Sequence, residues 1–195
     1  LGWCVQQGTA AGVRLSIIVA VANLVTTAIF LVYFKPDEDW RISGKDWWAI
    51  GNGVLFYMGQ WFSTQSVKSG DLAVHSSALG GKVVVVGFFS VLVGLESPSW
   101  NLLAGVALAV IAVVLAAGAS LEGWRKHRAT VGLTMLAGFF FGVNDFLTGW
   151  QAREIGPGRW LILMMGTGSL ISIFVLFIKR SQIKVMIQVP RAGMM

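Results

Sequence analysis

Charge is scarce in this chain. Asp, Glu, Lys and Arg together make up 12% of its 195 residues, about half the share of an ordinary soluble domain. Cysteine is nearly absent: Cys4 stands alone, which excludes a disulfide framework and a cysteine-based zinc site. Histidine is limited to His75 and His127, on different segments, so a metal site has little support. There is no Walker loop, no His-Glu-x-x-His helix and no Gly-x-Ser-x-Gly elbow, and no nucleophile–base constellation stands in for them. An enzyme is therefore not expected, and neither is a cofactor. An apolar share of 55% excludes a disordered chain, and a mean hydropathy of +0.72 excludes an ordinary soluble domain. The net charge of +6 does not revive a nucleic-acid binder. In a membrane protein such charge sits in short loops, where it attracts anionic lipid and sets orientation. The expected environment is the lipid bilayer, with no nucleic-acid partner.

What the chain has instead is a row of apolar blocks fenced by charges. Arg14 and Lys35 enclose Leu15 to Phe34, twenty uncharged residues, long enough to cross about 30 Å of hydrocarbon as a helix. Asp46 and Lys68 enclose the second block, Trp47 to Val67, whose Trp47-Trp48 pair suits an interfacial anchor. The third runs from Leu72 to Leu95 and carries Lys82; the fourth runs from Ser99 to about Gly118 with no charge. The fifth spans about Ala129 to Trp150 and carries Asp145, and the sixth, Trp160 to Ile178, is closed by Lys179-Arg180. Continuous blocks near twenty residues predict helices, because barrel strands need alternating segments of about ten. The fold class is all-α, a polytopic bundle of about six transmembrane helices, in a chain that begins at Leu1 without the pattern of a signal peptide.

A weak internal repeat follows. Gly2-Trp3, a polar pair, Gly8, Arg14, a span and Lys35 are matched in order by Gly149-Trp150, a polar pair, Gly156, Arg159, a span and Lys179. Four spans separate the copies, so one unit is five helices and the second unit runs through the membrane inverted, as in many secondary transporters. The expected division is residues 1–121 for most of the first repeat and 122–195 for the truncated start of the second.

The stretches Gly70-Asp71-Leu72-Ala73-Val74-His75-Ser76-Ser77, Gly94-Leu95-Glu96-Ser97-Pro98-Ser99 and Leu103-Ala104-Gly105-Val106-Ala107-Leu108 resemble the EamA-type drug/metabolite transporter superfamily. Gly138 to Gly142, followed by Gly149-Trp150 and Gly156, looks like the start of that family's second half. The resemblance covers nearly the whole chain, as helices two to seven of ten. A proline frequent in the family's fourth helix is replaced here by the Gly80-Gly81-Lys82 region. The resemblance implies a ten-helix carrier that moves amino acids, metabolites or drug-like compounds through a central cavity. It also places the Arg125–Arg128 loop outside, whereas nine of fourteen loop and tail cations fall on that loop's side and the positive-inside rule makes it cytoplasmic. Orientation stays open.

Two charges lie inside spans. Lys82 is ten residues into a helix starting at Leu72, about 15 Å deep; at the bilayer centre a Lys costs about 2.5–3.5 kcal/mol, so it should face a cavity or a partner. The functional reading is a substrate-carboxylate site or a charge gate, and the bland one is a later helix start that lets Lys82 snorkel to the interface. Asp145 lies about 24 Å along its own helix, leaving a gap of about 9 Å to Lys82, long for a direct ion pair. It reads equally as a proton, cation or substrate-amine site and as an interfacial Asp capped by Asn144. His75 titrates near neutral pH, and its bland reading is an interfacial hydrogen bond. Gln60 reads as an interhelical hydrogen bonder, and Trp61 as cavity wall or lipid-facing bulk. Glu96 reads as a structural residue near the start of the next helix. The pairs Gly138/Gly142, Gly105/Ala109 and Ala112/Ala116 suit a tight bundle and a homodimer face. The expected function is alternating-access transport of a small-molecule substrate bound by Lys82, Asp145, Asn144, His75, Gln60 and Trp61; the alternative is a non-transporting multi-pass membrane anchor or sensor subunit. The expected location is the plasma (inner) membrane.

Overall fold

The computed structural model describes residues 15–35, 41–69, 75, 79–116 and 121–178. The first copy of the repeat up to Arg14, the Pro36–Trp40 loop, most of the Gly70–Ser77 turn and the tail from Lys179 lie outside them. Every regular element among the described residues is α-helical: α1 Leu15–Phe34, α2 Asp46–Ser69, α3 Lys82–Leu92, α4 Trp100–Ala116, α5 Leu121–Ile155 and α6 Pro157–Ile178. Helices are what an apolar chain forms in lipid, because each satisfies its own backbone groups without water.

Three of the six are long and apolar enough to cross a membrane: Ile17–Phe34 in α1, Arg128–Ile155 in α5, and α6. The six expected spans are thus matched in part. The α2 helix has the length, at 24 residues, but carries Asn52, Gln60, Ser63, Thr64, Gln65 and Ser66, which lower its hydropathy. The α4 helix is apolar, with 17 residues among those described, and opens with the Ser99 hydroxyl accepting from the Leu102 amide at 3.2 Å.

The third block departs from expectation. It does not run as one helix from Leu72 to Leu95; a turn at Gly80-Gly81 interrupts it, and α3 begins at Lys82. Its other end is set by Gly94, whose φ of 75° is the left-handed conformation that glycine takes readily. The α5–α6 hairpin is built the same way. Gly156 has φ of 87°, and Pro157 then opens α6, where its missing N–H costs nothing.

The helices pack in the order α1, α6, α2, α5, α3, α4. Contacts fix their directions. Asn23 meets Ser172 and Thr27 meets Ser169, so α1 and α6 are antiparallel. Asp46 meets Arg159 and Asn52 meets Met164, so α2 and α6 are parallel. Asn52 meets Thr148 and Ser66 meets Thr134, so α2 and α5 are antiparallel. Close approach needs glycine at the α3–α5 seam. A methyl carbon at Gly142 would lie 2.5 Å from Val85 Cβ and 2.9 Å from the Lys82 carbonyl oxygen.

The interior mixes polar and apolar side chains, and much of the exterior is apolar. Asn23, Asn52, Thr64, Ser66, Thr130, Thr134, Asn144, Ser169 and Ser172 are buried beside Val19, Val131, Phe146 and Ile162, while Trp100, Val32, Leu108 and Leu170 stand exposed. That departs from the soluble pattern and fits helices whose outer faces meet lipid and whose inner faces are joined by hydrogen bonds. The apolar core that does exist, Ala49, Ala152, Trp160 and Met164, sits where α2, α5 and α6 meet.

At one end of the bundle, the α2 N-terminus is clamped to α6. Asp46 accepts from the Ser43 amide at 2.6 Å, reaching back as in a capping box, and from Arg159 Nε at 2.9 Å. Burial alone would raise the Asp46 carboxyl, but the Arg159 guanidinium and the Ser43 donors outweigh it and hold the group below its ordinary 3.8. A depressed folded pKa stabilises above the unfolded value and is lost as pH falls through the folded one. The thermal midpoint of the detergent-solubilised chain is therefore expected to fall on acidification below 3.8, and the Asp46→Asn variant to show a shallower fall over the same limb.

Candidate functional site

Lys82 is the first residue of α3, with no side-chain cap before it, and follows directly on the Gly80-Gly81 turn. Its backbone lies beside Gly138 of α5. From there Asp145 is seven residues on, about 10 Å along the helix, and the lysine chain runs up the α3–α5 seam to cover that gap. Lys82 Nζ donates to Asp145 Oδ2 at 2.7 Å. The direct ion pair that the expected depths made a stretch is formed, and the parallel alignment of the two helices is what makes it reachable. Neither group is fully enclosed; their side chains are 41% and 40% exposed. Asp145 is also no helix-end residue, since α5 continues ten residues further to Ile155. Its second oxygen, Oδ1, accepts from Asn144 Nδ2 at 3.3 Å.

Asp145 forms part of the wall of a cleft of about 330 Å³ between α3 and α5. Val86 and Ser90 come from α3, Glu96 from the loop after it, and Phe146, Gly149, Trp150 and Arg153 from α5. The cleft is of the size that holds a small organic molecule. Glu96 lies four residues before α4 and on this cleft, rather than at the α4 N-terminus.

Deeper in the bundle lies a second polar group. Asn52 Nδ2 donates to the Asn144 carbonyl oxygen at 3.2 Å and to Thr148 Oγ1 at 3.0 Å, and it touches Met164 Sδ at 3.4 Å. Trp160 Nε1 shares Thr148 Oγ1, at 3.0 Å. The side-chain oxygens of Asn52 and Asn144 are buried with no hydrogen-bond partner among the described residues, as is Gln60 Oε1. Such oxygens are costly to leave unmet, so each is a standing acceptor for a water or a ligand donor.

A third group surrounds His75, which is buried. Its Nε2 meets Ser63 Oγ at 3.2 Å, and its Nδ1 meets Ser66 Oγ and Thr134 Oγ1, each at 3.1 Å. The ring is enclosed between α2 and α5, hydrogen-bonded on both nitrogens.

The six residues singled out in the sequence are thus distributed. Lys82, Asp145 and Asn144 come together at the α3–α5 seam. Gln60 and Trp61 are half-buried on α2 and, like His75, do not line the cleft. Sequence reasoning missed Asn52 and Ser66. Their signal is the spacing Asn52, Gly59, Ser66, which puts small or polar residues on one helical face every seven positions; that face packs on α5. It also missed Arg153, which looks like an ordinary loop cation until α5 is seen to extend past it.

No family model, no curated protein and no solved structure matches the chain.

Proposed function

We propose that the chain acts in a multi-pass carrier that moves small organic solutes, such as amino acids, metabolites or drug-like compounds, across the plasma (inner) membrane by alternating access. The observation that carries this reading is Asp145, ion-paired with Lys82 and forming part of the wall of a small-molecule-sized cleft between two apolar helices. An intramembrane charge pair is costly to keep and marks substrate or ion pathways. The alternating helix directions support six crossings. The antiparallel packing of α1 on α6 supports the inverted repeat, because those helices are the two matched spans and inverted copies run in opposite senses. The resemblance to EamA-type transporters points the same way.

Gly149 offers the test. It lines the cleft, and a side chain there meets nothing within 4 Å. In a Cys4→Ala background, Gly149→Cys in sealed vesicles is expected to react with a membrane-impermeant maleimide added from either side. A membrane anchor or sensor subunit gives reaction from one side alone.

A further inference from the structure

Asp145 belongs to two environments at once. On one side it holds the Lys82 ammonium; on the other it faces the cleft, which Lys82 does not line. An alkylammonium group is therefore what this carboxylate already accepts, and at 40% exposure its remaining lone pairs are open to a second donor. The rest of the cleft suits the same chemistry. Phe146 and Trp150 supply aromatic surface, their rings 5.7 Å apart, and Gly149 leaves open space between Asp145 and Arg153. Glu96 adds a second carboxylate, and among the described residues it forms no ion pair. Arg153 lies eight residues beyond Asp145, about 12 Å along α5, too far to neutralise it directly. Carboxylates beside aromatic rings in a small cleft attract a cation with an apolar body, through charge-assisted hydrogen bonds and ring faces together. A carboxylate ligand would meet Asp145 and Glu96 with only Arg153 in its favour.

We infer that the cleft binds small protonated organic amines, and that the ligand ammonium takes the place of Lys82 on Asp145, so that Lys82 is a built-in competitor for the site. The inference deepens the carrier reading by naming its substrate class. One ammonium replaces another, so no proton moves. The Lys82 side chain, already 41% exposed, has room to turn away once released.

The probe is tritiated 2-phenylethylamine, an ammonium on a short arm with one ring, bound to the full chain in lipid nanodiscs. Saturable binding is expected. The neutral 2-phenylethanol and the anionic 3-phenylpropionate, of similar size, should compete at least about tenfold more weakly, the worth of a charge-assisted hydrogen bond. Asp145→Asn should weaken binding by at least about tenfold on the same basis. Lys82→Gln should tighten it, because the competitor is gone. Equal competition by 3-phenylpropionate, absence of saturable binding, or weaker binding in Lys82→Gln overturns the inference. The ligand series uses the unaltered chain and decides the matter even where a variant fails to fold. Amine binding with one-sided labelling of Gly149→Cys contradicts transport and leaves this inference standing; two-sided labelling without amine binding does the reverse.

Discussion

Asp145→Asn is expected to cut solute uptake by the full chain in proteoliposomes about a hundredfold, the upper range for losing a hydrogen bond to a charged group. Asparagine keeps the size of the side chain but neither its charge nor its hold on the Lys82 ammonium. Two effects are mixed in that loss, because the substitution also leaves Lys82 without a counter-charge next to apolar helices. The double variant Lys82→Met with Asp145→Leu separates them. Replacing both partners by apolar groups of similar volume is often neutral to stability, so its thermal midpoint should stay near that of the unaltered chain. Its uptake should still be lost. Retained uptake in the double variant would make the pair a packing device and remove it from the transport site.

The second large effect is on stability. Trp160 is fully buried where α2, α5 and α6 meet, packed with Ala49, Ala152 and Met164 and bonded to Thr148. Trp160→Ala should cost about 3–5 kcal/mol through the void and the lost contacts. Trp160→Phe keeps a six-membered ring, loses the donor and leaves a smaller void, and Thr148 still receives Asn52, so about 1–2 kcal/mol is expected. Unfolding of the purified chain in mixed micelles measures both. Equal losses would mean that the hydrogen bond to Thr148, and not the packing, is what Trp160 contributes.

These expectations rest on features that the sequence discloses unevenly. The end of α1 at Phe34 follows directly from Lys35, because a lipid-facing span tolerates no charge and the charge marks its end. The same logic misleads at α5. That helix begins at Leu121, well before the apolar block, since a helix need not stop where the membrane does. The break before α3 is legible in Gly80-Gly81, which make a local break possible beside Lys82, although hydropathy alone reads straight through the block. Lys82 and Asp145 stand out because a charge in an apolar run demands a partner. That they partner each other depends on α3 and α5 packing side by side with Lys82 near Gly138 and Gly142, a tertiary fact no local pattern contains. Asn52 is the plainest omission. One amide in α2 looks unremarkable, and its partners Asn144, Thr148 and Met164 lie 92 to 112 residues away in the chain.

The central claim is that the α3–α5 cleft opens in turn to both sides of the membrane, and labelling of Gly149→Cys in the Cys4→Ala background tests it most directly. The account predicts reaction with impermeant maleimide from both sides of sealed vesicles, and slower reaction from both when a bound solute fills the cleft. Reaction from a single side, unchanged by any solute, would contradict it.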